Sequence, residues 1–187
     1  MNKTLLLILI AFINYPSHFP NKKDYKEEYI ERQGEVSFFS YTPVENIQAT
    51  NNQALSIFDT KTNEVAVRIL MRAFVFKKSL MHEHFNESYI ESDLYPEATF
   101  SGKIIDFDPS IETMQTRIIK GDFTLKDVTK SVDIKATISI VDGNYIIKGG
   151  LDILIDDYNI KVPALLSPNI SKKIEVTFNF KYSQHEK

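Results

Sequence analysis

The chain has no cysteine. That absence excludes disulfides, thiol catalysis, cysteine-built zinc sites and a lipidated N-terminal cysteine. Basic clusters are missing too, and the net charge is −3. Nucleic acid asks for a Lys/Arg-rich face, so no such partner is expected. The N-terminal apolar run, Leu5 to Ile13, is only nine residues long and too short to span a bilayer. There is no Gly-rich phosphate loop, no nucleophile elbow and no HExxH pattern. The expectation is therefore a protein without catalytic residues, metal or cofactor.

What is present describes a packed domain. Of 187 residues, 43% are hydrophobic and 25% charged, a composition that folds as one domain plus a targeting segment. Lys3 followed by Leu5–Ile13 has the form of a secretory signal, and the competing reading of that run is a buried first strand. We expect residues 1–20 to be a signal peptide and the protein to be periplasmic or secreted. Cleavage would remove one charge, Lys3, and leave about −4 from the full chain's −3. Residues 21–33 read as a polar lead-in, 34–183 as the domain, and 184–187 as a polar tail in which His185 is solvated.

From Gly34 onward the dominant signal is alternation, the period of a strand with one buried face. Gly34–Tyr41 and Gln53–Phe58 form two strands. Glu64–Phe76 reads as one long strand with Val65, Val67, Ile69, Met71, Ala73 and Val75 inward. Ala98–Asp106 and Gln115–Leu125 follow. The strand ending at Ile140 alternates Val132, Ile134, Ala136 and Ile138 with polar residues. Asp142-Gly143 is a two-residue hairpin signal, and its return strand, Asn144–Asp156, carries Gly149-Gly150, which suggests a bulge that bends the sheet. Residues 157–172 are too apolar for an ordinary surface loop. Lys173–Tyr182 closes the count at eight strands: an all-β, eight-stranded antiparallel barrel with one short helix, or a two-sheet sandwich.

That helix belongs to the crossover Leu80–Gly102, which Pro96 terminates. The crossover also carries a run, His84, Phe85, Tyr89, Ser92, Tyr95, Pro96, Ala98, Thr99, Phe100 and Gly102, that resembles the YceI-like family of periplasmic, lipocalin-like lipid-binding proteins. A second block, Gly121–Val132 (GDFTLKDVTKSV), is similar to that family's strand and turn, with Asp127 where the family usually has glycine. Asp tolerates positive φ better than most residues. The resemblance spans about Gly34 to Tyr182 and implies a barrel that holds a polyisoprenoid tail or another long-chain amphiphile.

Polar candidates are few. His82-Glu83-His84 is the one hint of a metal site, but residues two apart on a helix diverge. Asp106/Asp108 and Asp152/Asp156 are paired carboxylates in a turn and on an outward strand face, and Asp156-Asp157 lacks the further oxygens a calcium site needs. The apolar lining is assigned to Val67, Ile69, Met71, Phe100, Phe123, Ile138, Ile153 and Phe178, with Leu165 and Leu166 at the mouth. Arg68, His84, Tyr89 and Tyr95 are the polar mouth candidates. This set does not choose between a solid core and a cavity. The resemblance favours a cavity for a long-chain lipid such as an isoprenoid or isoprenoid quinone, with transient membrane contact. The alternative is a secreted interaction barrel with a filled core. Oligomeric state is left open.

Overall fold

A computed structural model describes residues 28–42, 46–162 and 171–184. Its strands are β1 (Glu28–Ser40), β2 (Ile47–Asp59), β3 (Glu64–Leu70), β4 (Val75–Phe76), β5 (Glu97–Ile104), β6 (Gln115–Leu125), β7 (Val128–Val141), β8 (Asn144–Leu154) and β9 (Lys173–Gln184). All pairings are antiparallel: β3 pairs with β2 and β5, β4 pairs with β2, and β1 pairs with both β2 and β9. The sheet is therefore a closed up-and-down barrel without a free edge, the architecture that disposes of unpaired strand polar groups. Helix α1 (Ser79–His84) runs into a π-type turn, Phe85–Tyr89, and together they cross between β4 and β5.

Several expectations change. Residues 28–33, read as a lead-in, are the first half of β1, paired with β2 from Glu28↔Asp59 onward. Their polar character reflects a strand with one wet face, and Tyr29 among them is buried. The expected long strand 64–76 is broken by a 3-10 turn at Met71–Ala73. The break has a cause on the neighbouring strand. The buried Asn51 side chain on β2 donates 2.8 Å to the Leu70 carbonyl and accepts 2.7 Å from Gln53 N–H. A side chain thus replaces one rung of the ladder, and the Met71 N–H turns away to the Pro96 carbonyl, 2.9 Å. The inserted turn shifts the pleat by one residue. Phe74 and Phe76 then line the interior, while Val75 points out at 70% exposure. Because β4 continues along β2 at Ala49–Thr50, β3 and β4 act as one staved position and the barrel has eight.

Gly149-Gly150 is not a bulge; β7, β8 and β9 pair through it without a register shift. The irregularity lies in β1, between Glu31 and Gly34 and again before Val36. The two hairpin turns behave as their sequences require. Asp142 and Gly143 have φ of 52° and 77°, and Lys126 and Asp127 have 48° and 58°, the paired positive angles of a type I′ turn. Asp127 thus takes the geometry for which the resembling family uses glycine.

Glycine has a second use here. A Cβ on Gly34 would lie 2.4 Å from the Phe180 ring, and one on Gly149 would lie 2.8 Å from Phe178. Gly102 and Gly121 face each other across β5 and β6, and Phe100 lies over both, 2.5 and 2.7 Å from where their Cβ atoms would be. Three inward rings therefore lie flat along the wall instead of filling the centre.

Candidate functional site

Flattened rings leave space. The barrel contains a partly open cavity of about 380 Å³ lined almost entirely by aliphatic and aromatic side chains, within the range of roughly 300–1,000 Å³ typical of small-molecule sites. It occupies one end only. At the other end Tyr29, Phe58, Phe107, Tyr145 and Tyr182 interlock, with Phe58 5.3 Å from Tyr145 and 5.6 Å from Phe107 in edge-to-face contact. Such rings pack as a solid core. The Tyr182 hydroxyl is 2.6 Å from Ser56 Oγ, which donates on to the Ala66 carbonyl at 3.1 Å. Burial pushes the Tyr182 phenol far above its ordinary value, so it stays a neutral donor.

The crossover caps the open end. Phe38 of β1, Phe74, Phe76 and Phe85 form a collar, with Phe38 stacked on Phe85 at 5.5 Å and Phe76 5.1 Å from Phe85. Met81, His84, Tyr89 and Ile90 complete the cap above the cavity. A buried cation holds this cap to the wall. Lys126, in the β6–β7 turn, has a buried side chain whose Nζ donates 2.9 Å to the Tyr89 carbonyl and 2.6 Å to the Glu91 carboxylate. It also lies 5.4 Å over the Tyr95 ring. A lysine tolerates its left-handed backbone here because the turn aims it at these partners.

Removing that clamp has a measurable result. Lys126→Met is expected to destabilise the fold by about 1–3 kcal/mol, since the Tyr89 carbonyl and Glu91 lose their donor. Amide exchange should rise selectively across residues 79–95. Uniform exchange over the barrel would contradict a local clamp.

Most of the sequence-assigned lining faces the cavity: Val67, Ile69, Met71, Phe100, Phe123, Ile153 and Phe178. Ile138 does not. It is inward and buried and pairs with Gln115 on β6 and Ile147 on β8, yet of these three only Ile147 reaches the cavity, because alternation gives a residue's face and not its depth. Arg68 points outward, 3.6 Å from Glu97, as its even position on β3 dictates. Tyr95 is taken up beneath Lys126 instead of facing the cavity. Leu165 and Leu166 lie outside the described residues; from the same segment, Ile160 and Val162 do reach the cavity. The collar residues Phe74 and Phe76 were missed because the pleat shift reverses their face. Phe38 could have been found from the alternation of 34–41.

Of the polar candidates, His84 and Tyr89 line the cavity. Burial raises the Tyr89 phenol above its usual range. Other polar lining groups are already engaged: Ser40 Oγ accepts from Ser171 N–H at 3.3 Å, and Tyr182 is held by Ser56. The two histidines diverge, His82 lying 5.8 Å from the Phe76 ring on the flank of the cap. Among the described residues no group of three or more His, Cys, Asp or Glu side chains could hold a metal ion. Asp152 and Asp156 pair with Lys173 and Lys172, 2.7 and 3.1 Å. Hydrogen bonds from the Ser110 hydroxyl and N–H hold the exposed Asp108 carboxyl below the usual carboxylate range.

A closed antiparallel barrel with an apolar chamber at one end has the architecture of barrels wide enough to hold one small ligand. Comparison with known proteins narrows that class. The model of the YceI-like domain matches residues 30–182, and the chain belongs to that family. Solved structures with the same fold include a polyisoprenoid binding domain from Saccharophagus degradans, at 14% identity and a TM-score of 0.72, covering 85% of this chain and 99% of that one. BcnA of Burkholderia cenocepacia matches at 15% identity and a TM-score of 0.67, over 80% and 96%. A YceI protein of Campylobacter jejuni matches at 15% and 0.59, over 79% and 90%. No curated protein matches the chain.

Proposed function

We propose that this protein is an exported, non-catalytic carrier that holds the apolar tail of one long-chain lipid, an isoprenoid or isoprenoid quinone, inside the barrel. The observation that carries this reading is the apolar chamber of about 380 Å³ beneath the Phe38–Phe85 collar. A barrel built only as a scaffold has no use for three inward rings laid flat over glycines. The polyisoprenoid-binding relative supports the same ligand class.

The physics is burial. Each methylene withdrawn from water contributes roughly 0.8 kcal/mol, so a chain of modest length is held without directed polar contacts. His84 and Tyr89, the polar side chains of the cap that line the cavity, are placed to meet the lipid's head end. Loading and release then require brief contact with a membrane. Export rests on Lys3 and the Leu5–Ile13 run.

Mass spectrometry of protein purified gently from its native envelope tests both parts. The expected result is a stoichiometric lipid adduct that is lost on denaturation, on a polypeptide lacking the first twenty or so residues. A bare chain that also refuses a fluorescent long-chain lipid would favour the interaction barrel with a filled core. A mass that retains the N-terminal segment would overturn export.

A further inference from the structure

The cavity has a fixed floor, and from it we infer that the protein selects its lipid by chain length, with Phe180 as the specificity-determining residue. This inference rests on the carrier reading above. The cavity ends on Phe180 and Tyr182, both of which line it. Directly beneath, Phe58, Phe107, Tyr145 and Tyr29 interlock and do not reach it. Phe180 is pinned from two sides: it stacks on Phe178 at 5.1 Å and meets Tyr182 edge-on at 6.0 Å. Gly34 leaves room for its ring on the wall side. Tyr182 is in turn fixed through Ser56 to the backbone of β3. A tail entering past the collar meets this floor and cannot thread through the barrel.

Volume converts the floor into a length. A water-sized group takes about 30 Å³ as its liquid share, and a methylene is of similar size. The cavity of about 380 Å³ therefore accepts roughly 13 such groups. A chain of about 13 to 15 carbons fills it, and anything longer leaves carbons in water outside the cap, where they add nothing to binding.

The test is a series of prenyl alcohols, geraniol, farnesol, geranylgeraniol and solanesol, delivered from cyclodextrin and competed against one fluorescent long-chain lipid. Affinity should climb steeply from geraniol to farnesol, by up to about fourfold per added buried carbon, and level off by geranylgeraniol. Solanesol should bind within about threefold of geranylgeraniol. Affinity that keeps climbing through solanesol overturns the length limit while leaving the carrier reading intact. Binding by none of the four sinks the carrier reading itself. Phe180→Ala deepens the chamber, and solanesol is expected to gain about tenfold over geranylgeraniol. If that variant does not fold, Phe180→Leu gives the same comparison with a smaller gain. A folded Phe180 variant with an unchanged chain-length profile removes Phe180 from the role.

Discussion

Val67→Glu is expected to give a folded barrel that no longer retains lipid at neutral pH. Val67 faces inward from β3, pairs with Phe100 on β5, and is only partly buried because its side chain borders the cavity. Without ligand, a carboxylate there is solvated by water entering the chamber. With ligand, it would lie against hydrocarbon, where an ionised group is costly to desolvate. The loss in affinity should exceed about a hundredfold, or about 3 kcal/mol at roughly 1.4 kcal/mol per tenfold. The sign of its pH dependence follows. An apolar site raises a carboxyl's pKa because burial penalises the charged form, so binding by the variant should recover as pH falls and the group becomes neutral. Val67→Gln, which cannot ionise, should lose less and show no such recovery. Equal lipid retention by the folded Val67→Glu variant and the natural protein would place the ligand elsewhere.

At the opposite end of the barrel the largest effect falls on stability. Phe58 is fully buried and makes ring contacts with Phe107, Tyr145 and Tyr182. Phe58→Ala is expected to cost about 3–5 kcal/mol, the lost transfer energy plus the cavity left in a rigid cluster. Phe38→Ala, in the collar, should cost less than half as much, because its ring already borders open volume. Urea unfolding of both variants measures the difference. A Phe58 variant as stable as the Phe38 variant would mean that the closed end is not the stabilising core.

The contrast between these residues explains what could be read from the sequence. Period-two alternation located β5 through β9 to within a few residues, and Asp142-Gly143 located their hairpin, since both signals are local. Alternation reports a face, however, and it treated Ile138 and Phe123 alike although only Phe123 reaches the cavity. Depth is set by register, which is a property of strand pairs. The break at Met71–Ala73 was hidden for a similar reason: its cause is Asn51, some twenty residues upstream, donating to a carbonyl across the strand gap. Whether the barrel was hollow could not be read from the inward list at all. The answer depends on Phe100 meeting Gly102 and Gly121, on Phe178 meeting Gly149 and on Phe180 meeting Gly34, and each meeting requires the folded register. The resembling blocks around His84–Gly102 and Gly121–Val132 were informative because they are the cap and the turn that clamps it, joined by Lys126.

The seam of the barrel also carries a consequence for how the protein matures. Strand β1 is held on one side by β2, its neighbour in the chain, and on the other by β9, where Tyr29 lies opposite Gln184. Bringing together segments so far apart in sequence is entropically costly and slow. Without β9 there is no wall between β8 and β1, and so no closed chamber. On the carrier reading proposed above, lipid can be held only once β9 has paired with β1 and the seam has closed.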